Sequence, residues 1–143
     1  MFFNNPVITA CILAWFIAQL LKVLFVLLST KKMDFSRFVG SGGMPSSHSA
    51  FVVSLATAVG KIYGVESAYF AIAFVLAMVV MYDATNVRRA AGQQAKILNM
   101  MMEHYQDNDP EFMGKKLKEL LGHTPFEVVV GALLGITVSL WVC

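Results

Sequence analysis

The sequence predicts an all-α integral membrane protein: a helical bundle with about four transmembrane helices and amphipathic cytoplasmic helices between the third and the fourth. Hydrophobic residues make up 57% of the 143-residue chain and charged residues only 14%, whereas about 25% of residues are charged in typical soluble domains. The hydrophobic residues also fall into four long runs separated by polar connectors. The length suits a single membrane-embedded domain, residues 1–143.

The first apolar run, Val7–Leu28, is long enough to cross a bilayer, since about 20 helical residues span the hydrocarbon core. Pro6 precedes it, at a position where a helix start tolerates proline. Gln19 and Lys22 lie three residues apart and therefore share a helical face. Lys22 either extends outward to the membrane surface or points inward at an anionic ligand, and Gln19 on the same face favours the inward direction.

The second and third runs are joined by a tight turn. The second run, His48–Tyr63, follows a polar connector that ends in Ser41-Gly-Gly-Met-Pro-Ser-Ser-His-Ser-Ala50. The third run, Val65–Tyr82, is apolar on nearly all sides, and Gly64 marks the turn between them. Each run is predicted to form a membrane-spanning helix, with the second shorter than the others.

The segment after the third run is more polar and predicts helices at the membrane surface. Residues 88–105 mix basic and amide side chains with apolar ones, which is typical of an amphipathic helix near the interface. A loop is predicted at residues 106–110, followed by a second short amphipathic helix over residues 111–121.

The fourth run, Phe126–Cys143, begins with a helix-start pattern. Thr124 fits the N-cap, Pro125 the first helical position and Glu127 the third, which together predict a capping box. His123 stands directly before this start. The unpaired N–H groups of a helix N-terminus favour an anion nearby.

Basic residues indicate how the chain is oriented. They are concentrated in the connectors after the first and third runs: Lys31, Lys32 and Arg37 in one, and Arg88, Arg89, Lys96, Lys115, Lys116 and Lys118 in the other. The positive-inside rule places these two connectors in the cytoplasm and both termini outside. The polar clusters adjoin the same connectors, so we expect them at one cytoplasmic face, which disfavours a transporter with a midplane site.

Composition argues against several other classes of protein. Cys11 and Cys143 form neither a disulfide framework nor a metal-ligand spacing, and we expect no metal and no cofactor. The net charge of +2 is small, and we expect a lipid bilayer rather than nucleic acid as the partner.

Two of the three histidines lie in polar clusters and could carry phosphoryl transfer. Such a reaction needs a nucleophile and an acid, and His48 and His123 can fill these roles. Glu127 could orient His123 or serve only in the capping box. Arg88 and Arg89 could hold a phosphate or anchor the helix end to lipid headgroups. The other phosphate-binding candidates are Lys22, Gly43, Ser46 and Ser47, with Asp83, Gln19 and Gln93 as supporting residues.

Pro45-Ser-Ser-His48 resembles the Pro-Ser-Gly-His motif of the type 2 phosphatidic acid phosphatase superfamily, which includes the vanadium haloperoxidases. Together with Tyr-Asp-Ala-x-x-Val-Arg-Arg-x-x-Gly-x-Gln-Ala and Leu-Leu-Gly-His-Thr-Pro-x-Glu-Val, it is similar to the divergent branch of that superfamily in bacteria and plants. The three motifs occur in the family's order, and the resemblance covers nearly the whole chain.

The resemblance implies a membrane phosphatase that hydrolyses a lipid phosphate or diphosphate through a metal-free phosphohistidine mechanism. His123 would attack phosphorus, Glu127 would orient it, and His48 would protonate the leaving group. The residues implied to hold the phosphate oxygens are Lys22, Arg88, Arg89 and the backbone of Ser46 and Ser47.

Several departures from the superfamily pattern keep an alternative open. His123 lies more than thirty positions beyond Arg89, whereas the superfamily's histidine follows its arginine closely, and Glu127 replaces an aspartate. The first motif is absent, with Lys22 as the preferred substitute for its lysine and Lys32 or Arg37 as alternatives. A non-catalytic protein of the same fold, binding phospholipid or scaffolding a partner, fits these departures. The sequence also leaves open whether a homo-oligomer completes the site.

Overall fold

The computed structural model describes residues 5–30, 43–108, 117, 119 and 121–143, and none of these residues lies in a strand. They form five helices, which are α1 (Pro6–Thr30), α2 (Ser47–Tyr63), α3 (Ala68–Thr85), α4 (Val87–Asn108) and α5 (Pro125–Val142). The predicted all-α class is therefore confirmed, and each of the four apolar runs coincides with a helix.

Some predicted helix boundaries are wrong. α3 begins at Ala68 rather than Val65, because the Ser67 side chain caps it and accepts a hydrogen bond from the backbone N–H of Phe70 at 3.2 Å. α4 continues through residues 106–108, where a loop was predicted. Of the helix predicted over residues 111–121, the structure describes only residues 117, 119 and 121; none is helical, and the remainder lies outside the described residues.

Within the described residues, three stretches are long and apolar enough to cross a membrane: Pro6–Leu28, Ala68–His104 and Pro125–Val142. α2 has only 17 residues, and at about 1.5 Å per residue it spans about 26 Å, slightly less than a hydrocarbon core of about 30 Å. It nevertheless packs against α1, α3 and α5. The chain is thus an integral membrane helical bundle with α2 at its centre.

Small residues let the central helices approach closely. They repeat every fourth position on three helices: Ala10, Ala14 and Ala18 on α1, Ala50, Ser54 and Ala58 on α2, and Gly131, Gly135 and Ser139 on α5. A Cβ added at Gly135 would lie 2.5 Å from the Ala50 carbonyl oxygen, and the Ser139 hydroxyl donates to the Ser54 carbonyl at 3.1 Å. Such contacts replace the hydrophobic driving force that is missing between helices in lipid.

The polar clusters meet at one end of this bundle. The backbone N–H of His123 donates to the Ala84 carbonyl near the end of α3 at 2.9 Å, and that of Ser46 donates to the Glu127 carbonyl at 3.1 Å. At the opposite end, Lys61 donates to the carbonyl of Leu140 at 3.0 Å. The polar clusters therefore share one end of the bundle, as the sequence predicted.

Candidate active site

His123 is fixed by the start of α5. The predicted capping box is present: the Thr124 hydroxyl accepts from the Glu127 N–H at 3.3 Å, and Glu127 Oε2 accepts from the Thr124 N–H at 3.1 Å. The same Oε2 lies 3.0 Å from Nδ1 of His123. Glu127 is therefore both the capping residue and the partner of the histidine, the two roles that the sequence left open.

This contact determines what the His123 ring can do. A carboxylate beside Nδ1 favours the proton on that nitrogen, which leaves Nε2 as the ring's lone-pair nitrogen. Nε2 is buried, and no group in the described part of the chain reaches it with good hydrogen-bond geometry, although the backbone of Gly43 lies close enough to the ring to raise its pKa. His123 is only 4% exposed. An oriented imidazole with an unpaired Nε2 has the arrangement that nucleophilic catalysis requires.

The surroundings of His123 also favour its neutral form. Burial lowers the pKa of His123 below the ordinary histidine value, and the nearby charge of Lys22 lowers it further. The hydrogen bond and the negative charge of Glu127, together with the backbone of Gly43, raise the pKa of His123 but do not cancel the effect of burial. The imidazole therefore stays unprotonated, as a nucleophile must be, to a lower pH than an exposed histidine.

His48 faces His123 from the start of α2. The ring centroids are 6.5 Å apart in an edge-on arrangement. The start of α2 is fixed by Ser46, whose hydroxyl accepts from the Ser49 N–H at 3.3 Å and whose own N–H donates to Glu127. The hydroxyl and N–H of Ser46 are thus occupied by structural hydrogen bonds, and Ser47 is buried beside it.

Lys22 points into the bundle. It is 1% exposed, so the outward interpretation of this residue is wrong. It lies four residues beyond Ala18, on the small-residue face with which α1 packs. A Cβ added at Gly43 would be 3.6 Å from its Cγ, and its charge acts on both histidines. Gln19 is likewise buried on this face, at 5% exposure.

Arg89 and His123 are far apart in sequence but close together in the fold. α4 leads away from Arg89, and the chain returns so closely that a Cβ on Gly122 would lie 2.7 Å from the Cα of Arg89. Gly122 also has a φ of +82°, a conformation that favours glycine. His123 and Arg89 therefore line one cavity although more than thirty positions separate them in sequence.

Asn99 braces the returning segment, a role that the sequence analysis missed. It is 2% exposed. Its Nδ2 donates to the Leu117 carbonyl at 2.9 Å and to Glu119 Oε1 at 2.8 Å, while its Oδ1 accepts from the Leu117 N–H at 2.8 Å. An amide on the inner face of a predicted amphipathic helix could have indicated this role, because a buried amide needs polar partners.

A cavity of about 400 Å³ adjoins His123. One wall is a single face of α4, formed by Arg89, Gln93 and Lys96. Gly43, His123 and Glu127 also line it. Lys96 was not among the predicted site residues, although its position seven residues after Arg89 places both on one helical face. The described residues contain no group of three or more His, Cys, Asp or Glu side chains that could hold a metal ion.

Arg88 turns away from this cavity. Its Nε pairs with Oδ2 of Asp83, one of the alternatives that the sequence left for that aspartate. It lines a separate groove together with His48. The adjacent arginines therefore serve different compartments, Arg89 beside His123 and Arg88 beside His48.

Comparisons with known proteins agree with the architecture. A family model described as "Divergent PAP2 family" matches residues 3–138. The chain is 40% identical over 147 residues to a protein named "Uncharacterized membrane protein YuiD" from Bacillus subtilis (strain 168), and the match covers 96% of this chain and 92% of that protein. No solved structure matches the chain.

Proposed function

The chain belongs to the divergent PAP2 family, and on that premise we propose that it is a membrane phosphatase that hydrolyses a lipid phosphate or diphosphate through a phosphohistidine intermediate. One observation carries the proposal: Glu127 holds Nδ1 of His123, the buried Nε2 makes no hydrogen bond of good geometry among the described residues, and His48 faces the same ring. Nucleophile, orienting carboxylate and acid are thus assembled together.

The proposed reaction has two steps, phosphoryl transfer to His123 and hydrolysis of the phosphohistidine. Nε2 of His123 attacks phosphorus, so that a P–N bond forms while the P–O bond to the leaving group breaks and protonated His48 donates its proton to the departing oxygen. Glu127 stabilises the positive charge that develops on the His123 ring. Water then attacks the phosphohistidine, and His48 accepts a proton from that water. Orthophosphate leaves and neutral His123 is restored.

Cationic groups around the histidines would hold the phosphate oxygens. Lys22 is buried against Gly43, and Arg89 lines the His123 cavity together with Lys96 and Gln93. Lys22 is the buried member of this set, whereas Arg89, Gln93 and Lys96 are exposed. A positive charge fixed away from water stabilises developing negative charge more strongly than one in water.

Phosphate release and a trapped intermediate test the proposal. Purified protein should release phosphate from a panel of phosphatidate, phosphatidylglycerophosphate and polyprenyl diphosphates, inhibited by vanadate and insensitive to EDTA. An acid-labile phosphoenzyme should form in the wild type and not in His123→Ala, while His104→Ala, on the exposed part of α4, serves as the matched control. Binding of phosphate analogues without turnover would support the non-catalytic alternative, and activity retained by His123→Ala would contradict the mechanism.

We also propose that the site faces the cytoplasm, as the distribution of basic residues favours. With Cys11 and Cys143 replaced by Ala, a cysteine at Met101 on α4 should react only with reagent supplied from the cytoplasmic side. A cysteine at Glu66, in the turn at the opposite end of the bundle, should react only from outside. The reverse pattern would contradict this orientation.

A further inference from the structure

The two histidines separate two different compartments. On the His123 side lies the polar cavity of about 400 Å³. On the His48 side lies a groove of about 350 Å³ between α1, α2 and α3. Its lining residues are Trp15, His48, Phe51, Val52, Val80 and Arg88.

The polarity of this groove changes from one end to the other. Its charged or titratable lining residues, His48 and Arg88, lie at the active-site end of the bundle, while the rest of the lining is apolar. Trp15 is 38% exposed and Phe51 39% exposed, so the groove is accessible from the surface of a helical bundle that lies in lipid. A polar end that holds the Arg88 guanidinium, whose Nε pairs with Asp83, followed by an apolar length matches the polarity of an anionic lipid.

A second apolar groove has neither a charged residue nor a histidine in its lining. It lies between α3 and α5, with a volume of about 420 Å³, and is lined by residues that include Met78, Met81 and Leu133 but no charged side chain. Both volumes are large enough for part of a lipid chain. Of these two grooves, the one at His48 combines an apolar length with a histidine that can protonate a leaving oxygen.

We propose that the groove lined by Trp15, Phe51, Val52 and Val80 binds the hydrocarbon chain of an anionic phospholipid, with its phosphate end at His48 and Arg88. This inference rests on the proposed function for the position of the phosphate. It assigns the leaving group to the His48 side, next to the lipid, and the departing orthophosphate to the polar cavity at His123. Arg88 and Arg89 then act on opposite sides of the scissile bond.

Photocrosslinking tests the groove without requiring turnover. The full chain is reconstituted in phosphatidylcholine vesicles that contain phosphatidate with a diazirine in its acyl chain, or phosphatidylcholine with the same modified chain. Adducts are mapped by mass spectrometry. Phosphatidate should label Trp15 and Phe51 roughly tenfold more than the control lipid does, because a charge-assisted contact anchors it. Labelling at Met78 and Leu133 should not differ between the two lipids.

Two adjacent valines on α3 provide a matched pair of variants. Val80 lines the groove, whereas Val79 is 60% exposed and does not line it. Val80→Trp should fill the groove and reduce phosphatidate labelling at Trp15 to the level of the control lipid. Val79→Trp, with the same change in size, should leave the labelling unchanged.

Arg88→Gln supplies a second variant that adds no bulk to the core. It should abolish the preference for phosphatidate at Trp15 and Phe51. Two results would overturn the proposal that the groove binds lipid: equal labelling by the two lipids in the wild type, or a preference for phosphatidate that is unchanged in Arg88→Gln. Either result would leave the phosphatase proposal standing. Conversely, preferential labelling of the groove without phosphate release would support the groove and count against the phosphatase.

Discussion

Replacing Gly122 by Ala should remove most of the proposed phosphatase activity, because this residue sets the position of His123 relative to Arg89. Gly122 has a φ of +82°, a region in which a side chain costs on the order of 1–3 kcal/mol. A Cβ would also lie 2.7 Å from the Cα of Arg89. That separation is about 1 Å short of van der Waals contact, so the segment that carries His123 must move by a comparable distance.

Gly64→Ala is the matched control. Gly64 has a φ of +83°, but a Cβ there would meet nothing within 4 Å, so this variant carries the backbone cost without the collision. Both variants should unfold at lower temperature in detergent. Only Gly122→Ala should lose kcat/KM in the phosphate-release assay, by roughly 10²-fold, since a misplacement of about 1 Å costs that much. Equal activity of the two variants would refute the argument that Gly122 positions the nucleophile.

Three further variants address the charges and the brace of the site. Glu127→Gln keeps the capping box but removes the negative charge that raises the pKa of His123. The kcat/KM for phosphate release should fall roughly 10²–10⁴-fold. Because the pKa of His123 falls further in this variant, the acid limb of the pH profile of kcat/KM should move to lower pH rather than to higher pH. Lys22→Met should lower kcat/KM for phosphate release roughly 10²-fold, because it removes a buried positive charge beside both histidines; full activity in this variant would make Lys22 structural. Asn99→Ala should destabilise by about 1–3 kcal/mol, measured by thermal unfolding, by leaving the Leu117 backbone N–H unpaired; an unchanged melting temperature would contradict this bracing role.

The helices could be predicted from sequence because each depends on local or periodic features. Hydropathy sets where a chain enters and leaves the membrane, and the capping box at Thr124 and Glu127 depends on residues three apart. The structure contains that box with both of its hydrogen bonds. The start of α3 was misplaced because Val65 is apolar yet precedes the Ser67 cap, so hydropathy and capping indicated different boundaries there.

The site could be predicted only in part, because its geometry depends on where the chain returns after α4. No local pattern reveals that Gly122 contacts the backbone of Arg89. For the same reason, the sequence treated Arg88 and Arg89 as one cationic pair, whereas the fold places them in different compartments. Lys96 was overlooked because its helical face becomes part of a site only when the segment containing His123 closes over it.

The face of α1 that packs into the bundle is also the face that carries Lys22. A charged side chain within a membrane helix is costly unless it faces the interior of the bundle, and the face of α1 that carries Ala10, Ala14 and Ala18 is the one that packs inward. A lysine four residues further along that face is therefore turned toward the histidines by the same periodicity that brings the helices together. The alanine spacing, rather than the neighbouring Gln19, is the stronger sequence signal for an inward lysine. It follows that a large side chain at Ala18 should separate α1 from α2 and weaken the site, even though Ala18 lies outside both compartments.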